Sequence, residues 1–517
     1  MRRLLGGIVA AGLAVAVVAC GTSGSDGDES SAESERRSPP VYEPDVGPGA
    51  ERIKYRLGPI AIQPGQNNIE FSDPDVAKPD FDGYITRIDA DLEREDGSVP
   101  PVDVIHLHHG VWINMSDRAA PQPQFFAAGE EKTVFNIPNG YGYEYHASDR
   151  WIINYMLHNL FPTTDEVWIT YELDIVPIDA PEASSIEPVR PVWMDVEDNR
   201  IYPVFDVIKG SGEGGLFTYP DDAPDAYADG RARNEWVVDR EGVLVNTAGH
   251  LHPGGVRTDL WVERDGVEPS GVAAAKANGP RASVFTSEAW YWEPAGAVSW
   301  DVAMTATPAD WRVAVKPGDT LSISATYDTA RGSWYESMGI MVLWMADGPG
   351  GADPFSEDVA VPGVLTHGHL AENDNHGGEE TTLPDARELE TRSVDRPIDI
   401  ADFIYMAGDT SEEGDWIPSV AQGQSLTFNN VDAPVGPAGI WHTITACKAP
   451  CNRRTGIAYP VANGDIQFDS GQLGIAGVPT AGRVTWDTPP DLPTGTYTYF
   501  CRVHPFMRGA FEVTAAD

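Results

Sequence analysis

The sequence predicts an all-β protein, and three observations carry that expectation. Short runs such as Glu166–Val176, Thr258–Glu263 and Leu321–Tyr327 alternate apolar and polar residues with period two, as half-buried strands do. These runs recur at short intervals between turns rich in Gly, Pro, Asp and Asn, which is the pattern of antiparallel sandwiches. With 52 glycines and 42 prolines, nearly a fifth of the 517 residues punctuate rather than propagate helices. Long amphipathic helices are hard to find.

Composition sets the outer bounds. A hydrophobic share of 41% and an aromatic share of 9% suffice for real cores and exclude wholesale disorder. The length calls for about two to four domains. Against 79 Asp and Glu there are only 35 Lys and Arg, a formal charge of −44. That balance excludes nucleic acid, and an anionic membrane, as partners of the folded surface, and it suits an extracytoplasmic surface.

Taken in chain order, Met1-Arg2-Arg3 precedes an apolar stretch, Leu4 to Ala19, and then Cys20. A basic start, an apolar core and small residues before a cut describe a secretory signal over 1–19. Val17-Val18-Ala19-Cys20 resembles the bacterial lipobox, which implies lipidation of Cys20 and a membrane contact made only through that anchor, on the extracytoplasmic face. Residues 20–50, rich in Ser, Asp, Glu and Pro, are expected to be a disordered tether. Pro-rich residues around 181–191 and an acidic, Gly-rich run from about 348 to 396 then divide the remainder. The expected domains are 51–180 and 185–350, a His- and acid-rich linker over 351–395, and a third domain over 396–517.

The third block ends Tyr497-Thr-Tyr-Phe-Cys501-Arg-Val-His504-Pro-Phe-Met507 before a closing strand. A β-rich run delivers Cys501, and a tight loop returns His504 and Met507. Thiolate, imidazole and thioether thus come from one Cys-x-x-His-x-x-Met loop, and His442 is the one upstream histidine in the block available as a second imidazole. Two imidazoles and a thiolate with a weak thioether make a blue-copper (type I) ligand set. The block resembles the cupredoxins, with a loop most like that of amicyanin, which implies a Greek-key β-sandwich and outer-sphere electron transfer. Cys447 and Cys451, just after His442, read either as a further metal pair or as a disulfide closing the loop. The exported compartment favours the disulfide.

The first block contains His106-Leu-His108-His109 and, later, His158; the second contains His250-Leu-His252 and, later, Met338. Histidines at i and i+2 share a strand face and can chelate one ion. This order resembles the ascorbate-dependent type II copper monooxygenases, the peptidylglycine-hydroxylating and dopamine β-monooxygenase family. The resemblance implies two antiparallel jelly-roll sandwich domains with one copper each. Its first site would be His108, His109 and His158, with His106 an alternative to His109. The second, catalytic site would be His250, His252 and Met338, with Met341 and Met304 nearby as rivals for Met338. The disulfide cysteines of the animal enzymes have no counterpart here, and their peptide-carboxylate ligands have no assignable match, so peptide amidation is not implied. His367, His369 and His376 in the linker fit either metal capture or a solvated acidic loop.

The function expected from all this is an exported copper oxidoreductase. Two type II sites would use O₂ and electrons from a redox partner or small-molecule reductant, with a blue-copper carrier fused behind them. Two alternatives stand beside it: a non-catalytic copper-homeostasis lipoprotein, and an electron-transfer protein of a membrane respiratory chain.

Overall fold

Period-two alternation and frequent turns yield strands throughout, and no α-helix occurs among the described residues, only short 3₁₀ turns such as Pro181–Ser185. The computed structural model describes residues 39–516 apart from 43–44, 66–68, 73–75, 103, 162, 198–202, 228, 293–300, 371–383, 412–413, 435–438, 448, 450–466, 476–481 and 505. The signal segment 1–19, Cys20, the tether up to residue 38, His376 and Cys451 lie outside the described residues. Residues 39–517 belong to one unit.

A sixteen-stranded sheet spans the first two blocks. In the first block, Glu51–Ile62, Asp165–Pro177, Gly83–Glu93 and Tyr141–Tyr145 lie side by side. Tyr141–Tyr145 then pairs in parallel with Glu187–Asp195 of the second block, with Glu187 opposite Tyr141 and Val189 opposite Tyr143. Glu187–Asp195 pairs antiparallel with Ile340–Asp347, which continues to Gly242–His250. A four-stranded sheet (Ile69–Ser72, Trp151–Asn159, Ile105–Asn114, Gln124–Gly129) carries most of the first block's histidines.

One apolar core fills the space between these layers and draws on both blocks. Ile105, Trp112, Phe126 and Tyr143 belong to it, and so do Val245, Val342 and Trp344. The Trp344 ring lies 5.4 Å from Tyr143 and 6.3 Å from Phe135, centroid to centroid. Aromatic burial of this kind is the main stabilising term at such a seam.

The C-terminal part is a second sandwich. A five-stranded sheet (Glu390–Ser393, Trp416–Ala421, Arg508–Thr514, Gly495–Phe500, Thr445–Cys447) faces a four-stranded one (Ile404–Tyr405, Ile398–Ala401, Thr427–Asn430, Thr485–Asp487). Ile400, Phe428, Tyr499 and Phe511 fill the space between them. Its sheets are mixed: Trp416–Ala421 runs parallel to both of its neighbours.

Segments expected to be connectors carry order of their own. Val41 bridges Leu365, and the Tyr42 N–H donates to the Leu365 carbonyl at 2.9 Å. Phe355 and Val359 are buried in the second block's core, and Glu390–Ser393 forms a sheet edge. Spaced apolar residues among the acidic ones supply the anchors.

Candidate metal centres

The C-terminal centre is set by three loops. Cys501 follows the strand Gly495–Phe500, and its N–H donates to the Met507 carbonyl while the Met507 N–H donates to the His504 carbonyl, at 3.1 and 2.9 Å. That closed turn brings His504 back to the sulfur. The Cys501 Sγ lies 3.7 Å from Nδ1 of His442 and 3.7 Å from Nδ1 of His504, and the two nitrogens are 3.2 Å apart. A point equidistant from the three atoms lies about 2 Å from each, the bond length of a first-row metal to imidazole or thiolate. All three side chains and Met507 are buried.

The surroundings suit a thiolate. Backbone N–H groups of Thr443 and His504 approach the sulfur at 3.4 and 3.3 Å. Nε2 of His442 pairs with Oδ2 of Asp432 at 3.1 Å, which leaves Nδ1 turned to the sulfur. The same carboxylate accepts from the N–H groups of Asp402 and Phe403, at 2.9 and 3.2 Å. Burial pushes the Asp432 carboxyl up, but the donors His442, Asp402 and Phe403 outweigh it, and the net shift is downward. Desolvation holds His504 well below the ordinary imidazole range, so it is neutral and able to ligate. Asp432 was not found by sequence reasoning, because an Asp in a loop carries no mark of this duty. Cys447 is disulfide-bonded.

This centre abuts the first two blocks. Phe506 stacks on Phe161 with ring centroids 5.5 Å apart. Gly65 approaches so closely that a Cβ there would lie 2.7 Å from Nε2 of His504. The Arg502 guanidinium carbon sits 4.5 Å from the Trp334 ring centroid.

His106, His108, His109, His158, His250 and His252 form one buried cluster between the four-stranded sheet and Gly242–His250. In Ile105–Asn114 the register against Trp151–Asn159 slips between Leu107 and His109, making His108 the extra residue of a β-bulge. The bulge re-aims His108: its ring centroid is 4.1 Å from His252 but 6.1 Å from both His109 and His158. His106 faces His158 at 5.1 Å. His109 turns instead to Asn154, with Nε2 3.1 Å from Oδ1. It lines a cavity of about 120 Å³ with His250, Met338, Trp193 and Phe71. Of the expected trio His108, His109 and His158, His108 is 6.1 Å from each of the other two, whereas His106 lies nearer to His158, at 5.1 Å.

Nε2 of His250 and Nε2 of His252 are 3.2 Å apart, the same spacing as the two imidazoles of the thiolate centre. Nδ1 of His250 is held by Oε1 of Glu131 at 2.9 Å. Met338 is buried, with its N–H and carbonyl both on the Tyr327 hydroxyl. Desolvation pushes His106 and His109 down to about 4 and places His108, His158 and His252 well below their ordinary value. Glu130 and Glu131 were missed, because adjacent charges after a strand read as an exposed turn; their burial comes from strands over a hundred residues away. The His367 Nε2–H donates to the Glu131 carbonyl (2.7 Å), and His369 pairs with Asp301 (2.8 Å).

Comparison with protein-family models finds no match, and comparison with curated proteins finds none. Among solved structures, a copper-containing nitrite reductase from Thermus scotoductus SA-01 aligns at 12% identity and a TM-score of 0.16. That alignment covers 54% of this chain and 59% of the reductase. A structure of the infectious bursal disease virus Gx strain aligns at 9% identity and a TM-score of 0.17, over 63% of this chain and 82% of that one. Scores this low establish no shared fold.

Proposed function

We propose that the protein is an exported, lipid-anchored copper oxidoreductase whose C-terminal sandwich exchanges electrons with the buried histidine cluster. The observation that carries this reading is the Cys501–His442–His504 triangle, whose centre fits a first-row ion about 2 Å from each ligand atom. Bound copper would supply one-electron chemistry at both places. Cys501, His442 and His504 would hold the ion with Met507 buried in the same loop, a ligand set suited to electron transfer.

The route inward is short. His504 packs closely on Gly65, the carbonyl of Gln63 two residues before it accepts from the Asn159 amide at 3.2 Å, and Asn159 follows His158 in the chain. On the far side of the cluster, the cavity beside His250, Met338 and His109 has space for a small molecule such as dioxygen. His250, His252 and Met338 would hold the reactive copper of a monooxygenase-like reaction. His106 and His158 would receive electrons that come from an external redox partner or small reductant.

Metal analysis with absorption and EPR spectra on the full chain tests this. The expected result is an intense visible thiolate-to-copper band that Cys501→Ser abolishes, together with further copper of type II character. A copper-loaded protein without that band overturns the reading. Ascorbate-driven O₂ consumption that Met338→Ala and His250→Ala both remove is the expected mark of catalysis.

A further inference from the structure

Glu130 is the feature the histidine motifs do not account for. It follows the strand Gln124–Gly129 in a turn that is fixed from several directions. The Lys132 N–H donates to the Gly129 carbonyl at 3.0 Å, and the Thr133 hydroxyl donates to the Gly249 carbonyl at 3.3 Å. His367 holds the Glu131 carbonyl. Gly129 itself has no space for a side chain, since a Cβ would lie 2.5 Å from the His108 carbonyl and 2.7 Å from Cε1 of His250. The turn is thus pressed into the cluster.

The Glu130 side chain is fully buried, and neither carboxylate oxygen has a hydrogen-bond partner. An isolated buried carboxylate is strongly unfavourable, and such groups are ordinarily paired or bound to metal. Desolvation, and then Glu131 beside it, push its carboxyl well above the ordinary range. Its nearest opposite group is Nδ1 of His252, at 4.0 Å. His108 completes the arrangement: its Nδ1 is also buried with no hydrogen-bond partner. One ligand atom from each of His108, Glu130 and His252 lies within 4.8 Å of the other two.

We propose that His108, Glu130 and His252 form a binding site for a divalent transition-metal ion, built jointly by the first two blocks. Two imidazoles and one carboxylate are a common donor set for such ions, zinc and copper included. His252 stands between this position and His250, because one ring nitrogen faces Glu130 and the other faces Nε2 of His250. The site does not depend on the thiolate centre, and it differs from the ligand sets expected from the sequence in needing Glu130 and in drawing His108 and His252 together.

The test uses the full chain stripped of metal and reloaded with Zn(II), alongside Glu130→Gln and His108→Gln. Each variant is expected to retain one fewer zinc ion per chain after dialysis. Glu130→Gln should also raise the thermal midpoint of the stripped protein, because it removes a carboxyl that is costly to bury without a partner, while reducing the rise that zinc produces in the wild type. Copper loading run in parallel reports the thiolate band, which both variants should keep. A missing band in the wild type would count against the proposed function and leave the zinc stoichiometry to decide this site. Full wild-type zinc retention by Glu130→Gln and His108→Gln overturns it.

Discussion

Asp432→Asn is the sharpest perturbation of the thiolate centre. Oδ2 of Asp432 takes His442 Nε2 and the Phe403 N–H, while Oδ1 takes the Asp402 N–H. An asparagine can keep its oxygen toward Asp402, but it then presents an amide N–H to two donors. Hydrogen bonds to a charged group are worth about 1.5–3 kcal/mol each, so losing two should lower stability by roughly 3–6 kcal/mol. The turn suffers as well, since Asp402 and Phe403 hold φ of 51° and 62°, a conformation that L residues adopt only under constraint. Phe403 packs edge-on against His504, with centroids 4.9 Å apart, so its movement reaches both imidazoles. Loss of a carboxylate that orients a metal-bound histidine typically weakens binding about 10–100-fold. Chelator competition read at the thiolate-to-copper band measures this, and Asp432→Glu should restore part of the affinity. Affinity within twofold of wild type for Asp432→Asn would refute the orienting role.

Three other outcomes are expected. Gly65→Ala places a Cβ 2.7 Å from Nε2 of His504 at a φ of +60°, so it should cost about 1–2 kcal/mol and shift the visible band; an unchanged spectrum would remove the contact from consideration. Trp344→Ala should cost about 3–5 kcal/mol in denaturant unfolding, because the ring is fully buried between strands of both blocks. Asp206, which accepts the Glu336 N–H at 3.4 Å, has its carboxyl pushed by desolvation from 3.8 up to about 6. The folded state therefore holds that proton more tightly than the unfolded chain, and its contribution falls as pH rises between those values. Asp206→Asn should stabilise the protein at pH 7–8 by about 2 kcal/mol, discounted for partial exposure, and give no gain below pH 4. Chemical unfolding across that pH range measures it.

The all-β fold was legible because alternation and turn residues mark strands locally. The thiolate centre was legible because Cys501, His504 and Met507 share one loop and the third block has a single upstream histidine. Grouping of the other histidines was not. Period two puts His106 and His108 on one face, but the bulge at His108 breaks the period, and the His252 it then meets lies just past the end of the strand Gly242–His250, remote in sequence. Glu130 and Asp432 were invisible for a related reason. A carboxylate's burial is decided by what folds over it, and in both cases that is chain remote in sequence or without apolar pattern.

The parallel ladder between Tyr141–Tyr145 and Glu187–Asp195 has a mechanical consequence. Two domains joined by a loop can hinge, but two domains sharing a sheet cannot bend without breaking backbone hydrogen bonds and exposing strand edges. The ladder splints the first block to the second, so the distances from His108 to His252 and across the cavity are fixed when the chain folds. Any gating of access must come from side chains at the cavity mouth, such as the exposed Phe71, and not from closure of one half upon the other.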